Sequence, residues 1–188
     1  MFQCLTLILP LAIAMSVAAV SQESDSRNKN LDIRSSAGDL HVGDDADAKK
    51  AGLPLYPGAR ISAEDEHNDK ANLSVITEAF GMKLVVAKYD SDDAPANIVD
   101  FYRNKLRKYG KVLECHSQKH GGNIDVHEDK DSKDSKDLRC EEESGPVTEL
   151  KVGTEENQHI VAVEPREKGK GTTFALVYVH TRGKRGEI

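Results

Sequence analysis

Residues 72–110 read NLSVITEAFGMKLVVAKYDSDDAPANIVDFYRNKLRKYG. The first part alternates with the two-residue period of a strand that has one buried face. Leu73, Val75, Thr77 and Ala79 recur over Asn72–Phe80, and Leu84-Val85-Val86-Ala87 fills Lys83–Tyr89. Gly81, lying between the two runs, permits a tight reversal. The period then changes. Ile98, Tyr102, Leu106 and Tyr109 fall on one stripe of a helix expected over about 94–109, with Val99 and Phe101 at its margins. Asp90, Ser91, Asp92 and Asp93 supply capping candidates and negative charge at its start, and Pro95 suits the first turn. Arg103, Lys105, Arg107 and Lys108 complement the dipole at its end, where Gly110 stands as the terminating residue. Phe101 and Tyr102 read as core rather than as ligand contacts. A hairpin followed by one amphipathic helix implies an α+β fold: an antiparallel meander sheet packed against that helix.

Downstream, Lys111–Cys115 reads as a strand, Leu138–Cys140 resumes ordered sequence, and Val147–Val152 reads as another strand. Gly153–Asn157 and Pro165–Gly171 provide turns around His159–Glu164 and Thr172–Thr181, and residues 182–188 form a basic tail. Upstream, residues 22–51 form a polar leader. Leu31-Asp32-Ile33 and Leu40-His41-Val42 within it suggest a small hairpin, and Asp44 to Ala51 a short helical turn ended by Gly52. Gly52–Ala59 carries two prolines and reads as a rigid extended entry turning at Pro57-Gly58. One domain over 52–181 is expected. There is no repeat at solenoid spacing.

The chain has 188 residues and a net charge of −6; charged residues make up 31%, aromatics 5%, and Trp is absent. This balance excludes the basic stripe with stacking rings that nucleic-acid binding requires, and leaves few rings for a sugar site. Cys4 to Val20 is uncharged and mostly apolar, and shorter than the ~20 residues a comfortable membrane span needs. Residues 1–21 therefore read as a signal peptide cleaved after Ala19 or Ser21, although Met1-Phe2-Gln3 lacks the usual basic residue. Uncleaved, the segment would be a membrane anchor. The expected location is periplasmic or secreted. Removing Cys4 leaves Cys115 and Cys140, an even pair that reads as one disulfide. A thiolate role for Cys115 beside His116 is the rival, and sequence adjacency alone does not build a catalytic pair.

Residues 116–139 set six acids against five bases, with few large apolar side chains, and imply a mobile polar insert. His116, His120, His127, Asp129 and Asp131 give it the most metal-like composition in the chain, suited to weak Zn²⁺ or Cu²⁺ binding. Gly121-Gly122 opposes a helix that would align His116 with His120, and Asp129-x-Asp131 makes a poor calcium loop. A solvated spacer is the simpler reading. No cofactor is otherwise implied. The chain has no G-x-S-x-G, G-x-x-x-x-G-K-[ST], H-E-x-x-H or C-x-x-C motif. Acid pairs such as Asp92-Asp93 and the run Glu141-Glu142-Glu143 read as solvated charge. His159 and His180 lie on strands that could bring them face to face, and a cross-strand packing or edge role is the default reading.

Gly52-Leu53-Pro54-Leu55-Tyr56-Pro57-Gly58-Ala59, followed by Ile98-Val99-Asp100-Phe101-Tyr102-Arg103 and Leu106, resembles a group of uncharacterised exported bacterial proteins. In that group an LPxYPGA entry precedes a hairpin and a VxxFYxxxL helix; Ile98 stands here in the Val place. The likeness covers about Gly52 to Gly110. It implies a small exported α+β module and supplies no catalytic residues. The helix start is stretched here to Asp92-Asp93-Ala94-Pro95, and the loop after Cys115 is unusually long. The expected role is a non-enzymatic exported domain that binds a protein or cell-envelope component through sheet surface the helix leaves uncovered. A divalent-metal-binding protein using the insert is the alternative, and a hydrolase with a site unreadable from sequence is the third class.

Overall fold

The computed structural model describes residues 30–62, 70–118, 137–140, 142, 144–166 and 170–183. In chain order its elements are β1 (Leu31–Ser35), β2 (Gly38–Gly43), β3 (Arg60–Ile61), β4 (Lys70–Ile76), β5 (Gly81–Ser91), α1 (Pro95–Leu106), β6 (Leu113–Ser117), β7 (Val147–Thr154), β8 (Asn157–Pro165) and β9 (Thr172–Arg182). The nine strands form one sheet ordered β1-β2-β4-β5-β9-β8-β7-β6, with β3 paired to β5. Every paired neighbour is antiparallel. The fold is α+β.

The order corrects the expectation of one sequential meander. Two runs, β1-β2-β4-β5 and β9-β8-β7-β6, meet where β5 pairs β9 in continuous register from Gly81↔Arg182 to Ser91↔Thr172. After β5, α1 carries the chain across to the far edge at β6, from which three strands return. The helix is therefore a crossover, and it lies against β7 and β8.

The β4–β5 reversal falls at Thr77–Phe80, where the Thr77 N–H donates to the Phe80 carbonyl at 2.7 Å; Gly81 already belongs to β5. Farther along the same side of β5, β3 pairs Arg60 with Asp90 and Ile61 with Tyr89, and the Ser62 N–H donates to the Lys88 carbonyl at 3.3 Å, so β3 and β4 lie along one edge. The expected leader hairpin is present and joins this same sheet: β2 pairs β4 from Asp39↔Ile76 to Gly43↔Asn72. The helical turn expected at Asp44–Ala51 shortens to one turn, in which the Asp47 carboxylate accepts the Lys50 N–H at 2.7 Å. Its Ala46, Ala48 and Ala51 are buried in the core, and the Ala48 N–H donates to the Tyr89 hydroxyl at 2.9 Å. The packed unit thus reaches upstream of Gly52.

Helix α1 opens with Pro95 in its first turn after an extended Ala94, and no side chain caps it. The four expected cap residues are occupied elsewhere. Asp90 and Ser91 finish β5, Asp92 pairs with Arg60, and Asp93 accepts the Tyr56 hydroxyl proton at 2.6 Å. The helix ends at Leu106 in a 3-10 turn, Arg107–Tyr109, followed by Gly110 at φ +141°, a backbone geometry that only glycine adopts without strain. Its buried residues are Ile98, Val99, Tyr102 and Leu106.

These residues close a core with Val85, Ala87 and Tyr89 of β5, Phe174 and Leu176 of β9, Val161 and Val163 of β8, and Leu150 and Val152 of β7. Phe174 is its aromatic hub, 5.6 Å from Tyr102, 5.6 Å from Tyr89 and 6.3 Å from Tyr56 by ring centroids. The Tyr102 hydroxyl accepts the Tyr56 N–H and donates to the Pro54 carbonyl, both at 3.1 Å. The helix motif and the proline-rich entry are thus clasped by one side chain.

Candidate functional site

Residues paired across adjacent strands project from the same face, so the register assigns each side chain to one of two faces. The core residues of β5, β9, β8 and β7 define the helix side. One row on the opposite side runs across five strands through Leu31, Val42, Leu73, Leu84 and Val179. A second runs through Ile33, Leu40, Val75 and Met82. Five strands at the usual spacing span about 19 Å. Val179 is buried; Leu31, Ile33 and Val42 are 52%, 48% and 40% exposed. An apolar surface therefore lies where α1 is not.

At this end of the sheet the helix side is polar. The row behind Leu31–Val179 runs Asp32, His41, Ser74, Lys83, His180 and Asn157. Polarity is reversed relative to the α1 end, where apolar residues face the helix.

His41 organises the polar row. Its Nδ1 donates to Asp32 Oδ1 at 2.8 Å; its Nε2 lies 3.3 Å from the Asn72 amide nitrogen and 3.6 Å from Asp45 Oδ1. Asn72 donates to Asp45 at 2.8 Å, and Lys50 pairs with the other oxygen of Asp45. The hydrogen bond to Asp32, supported by the Asp45 carboxylate, raises the imidazole above its ordinary 6.5. Lys50, then Asn72, holds the Asp45 carboxyl at about 2 against an ordinary 3.8. Ser74 is the register partner of His41 across the β2–β4 ladder. The arrangement is an ionic tie between the first hairpin, the Asp45–Lys50 turn and β4.

Its pH dependence has a definite sign. A raised histidine value contributes stability below 6.5, lost as pH climbs through the folded value; a depressed carboxyl contributes above 3.8, lost as pH falls towards about 2. Both contributions are present between 3.8 and 6.5. Urea unfolding of wild type and His41→Ala should differ more at about pH 5 than at about pH 8.5. Equal differences at both would show that the imidazole charge is not coupled to folding.

The two strand histidines do not face each other. His159 pairs with Tyr178, and His180 with Asn157 and Lys83. The His159 ring sits between Tyr109 and Tyr178, with centroids 4.0 and 4.9 Å away, and its Nδ1–H donates to the Ala51 carbonyl at 2.9 Å. Burial depresses its pKa and keeps it neutral. Tyr109 donates to the adjacent Gly52 carbonyl, so the pair fastens the Ala51–Gly52 turn to β8. That role is structural.

Cys115 and Cys140 form a disulfide with Cα atoms 5.4 Å apart. Cys115 is therefore no nucleophile in this state. Of the metal candidates, His116 lies on β6, facing Thr148 across the ladder; His120, His127, Asp129 and Asp131 fall outside the described residues, as do the cleavage candidates Ala19 and Ser21. Among the described residues no three His, Cys, Asp or Glu side chains converge as a metal site, and no helix is long and apolar enough to cross a membrane. A shallow cleft of about 260 Å³ lies between α1 and β6, but Arg103 on its wall already binds Asp100 and Glu114. The apolar face opposite α1 is a feature the alternation of β4 and β5 anticipates but cannot orient. No family model, curated protein or solved structure matches the chain, and the likeness seen in Gly52–Ala59 and Ile98–Leu106 rests on those two motifs alone.

Proposed function

We propose that the chain is an exported, non-enzymatic domain that binds a protein or another cell-envelope component through the sheet face opposite α1. One observation carries this reading: a two-row apolar surface about 19 Å wide whose outer members, Leu31, Ile33 and Val42, are 40–52% exposed. Contiguous apolar surface of this kind marks an interaction site, whereas scattered apolar residues do not. The Cys115–Cys140 bond supports export, because such bonds persist in oxidising compartments. The apolar Cys4–Val20 run supplies the route. The absence of any catalytic motif in the sequence favours binding over turnover.

Site-specific photo-crosslinking in the producing cell tests the reading. A photoreactive residue at Val42 should capture an envelope component, and one at Lys105 on the outer side of α1 should not. Adding Ile33→Asp should abolish capture from Val42 while leaving the circular dichroism spectrum unchanged. No adduct from Val42, or equal capture from Lys105, would remove this face as the binding surface.

A further inference from the structure

We infer that the β1 edge is a self-complementary docking surface for a second copy of this chain. The two ends of the sheet differ. At the β6 end, the segment returning from the insert is tied down: Cys140 is bonded to Cys115, Asp137 bridges Thr154 beside β6, and Glu142 accepts the Gln118 N–H at 2.7 Å. At the other end β1 pairs only with β2 among the described residues, and all five of its residues are exposed.

An open edge exposes unpaired backbone N–H and C=O groups, which proteins normally protect with proline, a bulge or an inward charge such as lysine. β1 has no proline, no bulge and no lysine, and its two charges, Asp32 and Arg34, are opposite in sign, so they can complement a second copy as well as repel other strands. Its five pairs with β2 run without a bulge, from Leu31↔Val42 to Ser35↔Gly38. Its sequence, Leu31-Asp32-Ile33-Arg34-Ser35, carries opposite charges on either side of one isoleucine.

That pattern selects a single register. Consider an antiparallel pair of β1 strands related by a two-fold axis perpendicular to the sheet, which keeps the apolar faces of both copies on one side. Centring on Asp32 would oppose two aspartates, and centring on Arg34 would oppose two arginines. Centring on Ile33 places each Asp32 against the other copy's Arg34, and the two Ile33 side chains against each other. Like charges directly opposite destabilise a ladder, and opposite charges stabilise it. Asp32 already accepts from His41 through Oδ1, which leaves Oδ2 for the guanidinium. Arg34 has no ion pair among the described residues. Pairing in this register consumes both open edges, so assembly stops at two, and it joins the Ile33–Met82 rows of the two copies into one apolar row. The inference stands on the edge and its charges, independently of what binds the apolar face.

Five strand residues make a small interface, below the ~1,200 Å² of standard complexes, so association at tens of micromolar (about 10–100 µM) is expected. Sedimentation equilibrium on protein expressed from the full sequence and purified as the cell processes it provides the test. Wild type should be dimeric in that range. Arg34→Asp, which opposes two aspartates twice over, should weaken association at least tenfold while leaving the fold intact by circular dichroism. The charge swap Asp32→Arg with Arg34→Asp re-forms opposite pairs and should restore association to within about threefold. A wild-type monomer at several hundred micromolar would overturn the inference. So would dimerisation indifferent to Arg34→Asp, or a swap that stays as weak as the single variant.

Discussion

Tyr102→Ala is expected to cost about 3–5 kcal/mol of unfolding free energy, the range for removing a large aromatic from a core. Tyr102 is wholly buried, packs its ring 5.0 Å from Phe101 and 5.6 Å from Phe174, and uses both hydrogen-bonding capacities of its hydroxyl on the Pro54–Tyr56 backbone. Two separable losses follow. Tyr102→Phe keeps the ring and strands the Tyr56 N–H and the Pro54 carbonyl, which costs about 1–3 kcal/mol; Tyr102→Ala adds the cavity. Burial also lifts the Tyr102 phenol far above its ordinary value, so it ionises only on unfolding. Since a domain of this size is stable by ~5–15 kcal/mol, the alanine variant loses a large share of the total. Urea unfolding with unchanged slope is the measurement. A Tyr102→Phe cost under about 0.5 kcal/mol would show that the clasp between entry and helix contributes little beyond ring packing.

The elements legible in the sequence are those whose side-chain period and chain breakers agree. The β4–β5 alternation, the Ile98–Leu106 stripe, and Thr172–Thr181 all fold within a few residues of their expected bounds. Strand order was not legible. It depends on the long β5 and β9 meeting side by side, and on α1 spanning three strands, and both are relations between segments far apart in the chain. The helix starts within one residue of its expected position, but its expected caps do not act, for a related reason. Asp92 and Asp93 have the chemistry of caps, yet Arg60 and Tyr56 approach from upstream and take their carboxylates. Tertiary partners outbid local propensity there.

The candidate surface was only half legible. Alternation in Leu31-Asp32-Ile33, Leu40-His41-Val42 and Leu73–Val75 shows that each strand has an apolar and a polar face. It cannot say that these apolar faces point away from α1. That follows from the register with β5, where the core residue Val85 is two positions from Lys83 on the same side, and the polar row begins. The grouping of His41 and Asp45 with Asn72 gave no signal, since Asn72 stands 31 and 27 residues beyond them and meets them only through the β2–β4 ladder. The pairing of the two cysteines, by contrast, was readable by elimination once Cys4 was assigned to the export segment, because only one pair remained.

That pair supports the second large effect. Replacing Cys115 and Cys140 together by alanine is expected to cost about 3–4 kcal/mol, because the bond closes a 25-residue separation whose freedom in the unfolded chain is then restored. The loss should be regional as well as global. Cys115 is 3% exposed on β6, and the segment it anchors supplies the Asp137–Thr154 bridge and the Glu142 contact to Gln118. Hydrogen exchange should therefore quicken first in β6 and the edge of β7, while the β5–β9 ladder and α1 stay protected until global unfolding. Reduction of the wild-type protein should reproduce the variant. If both unfold at the wild-type urea midpoint, the limb is held by its polar contacts alone, and the bond ceases to be an argument for export. If both lose the expected amount, protein retained in a reducing compartment is left with the weaker sheet edge, and the oxidising side of the membrane is where this chain reaches its full stability.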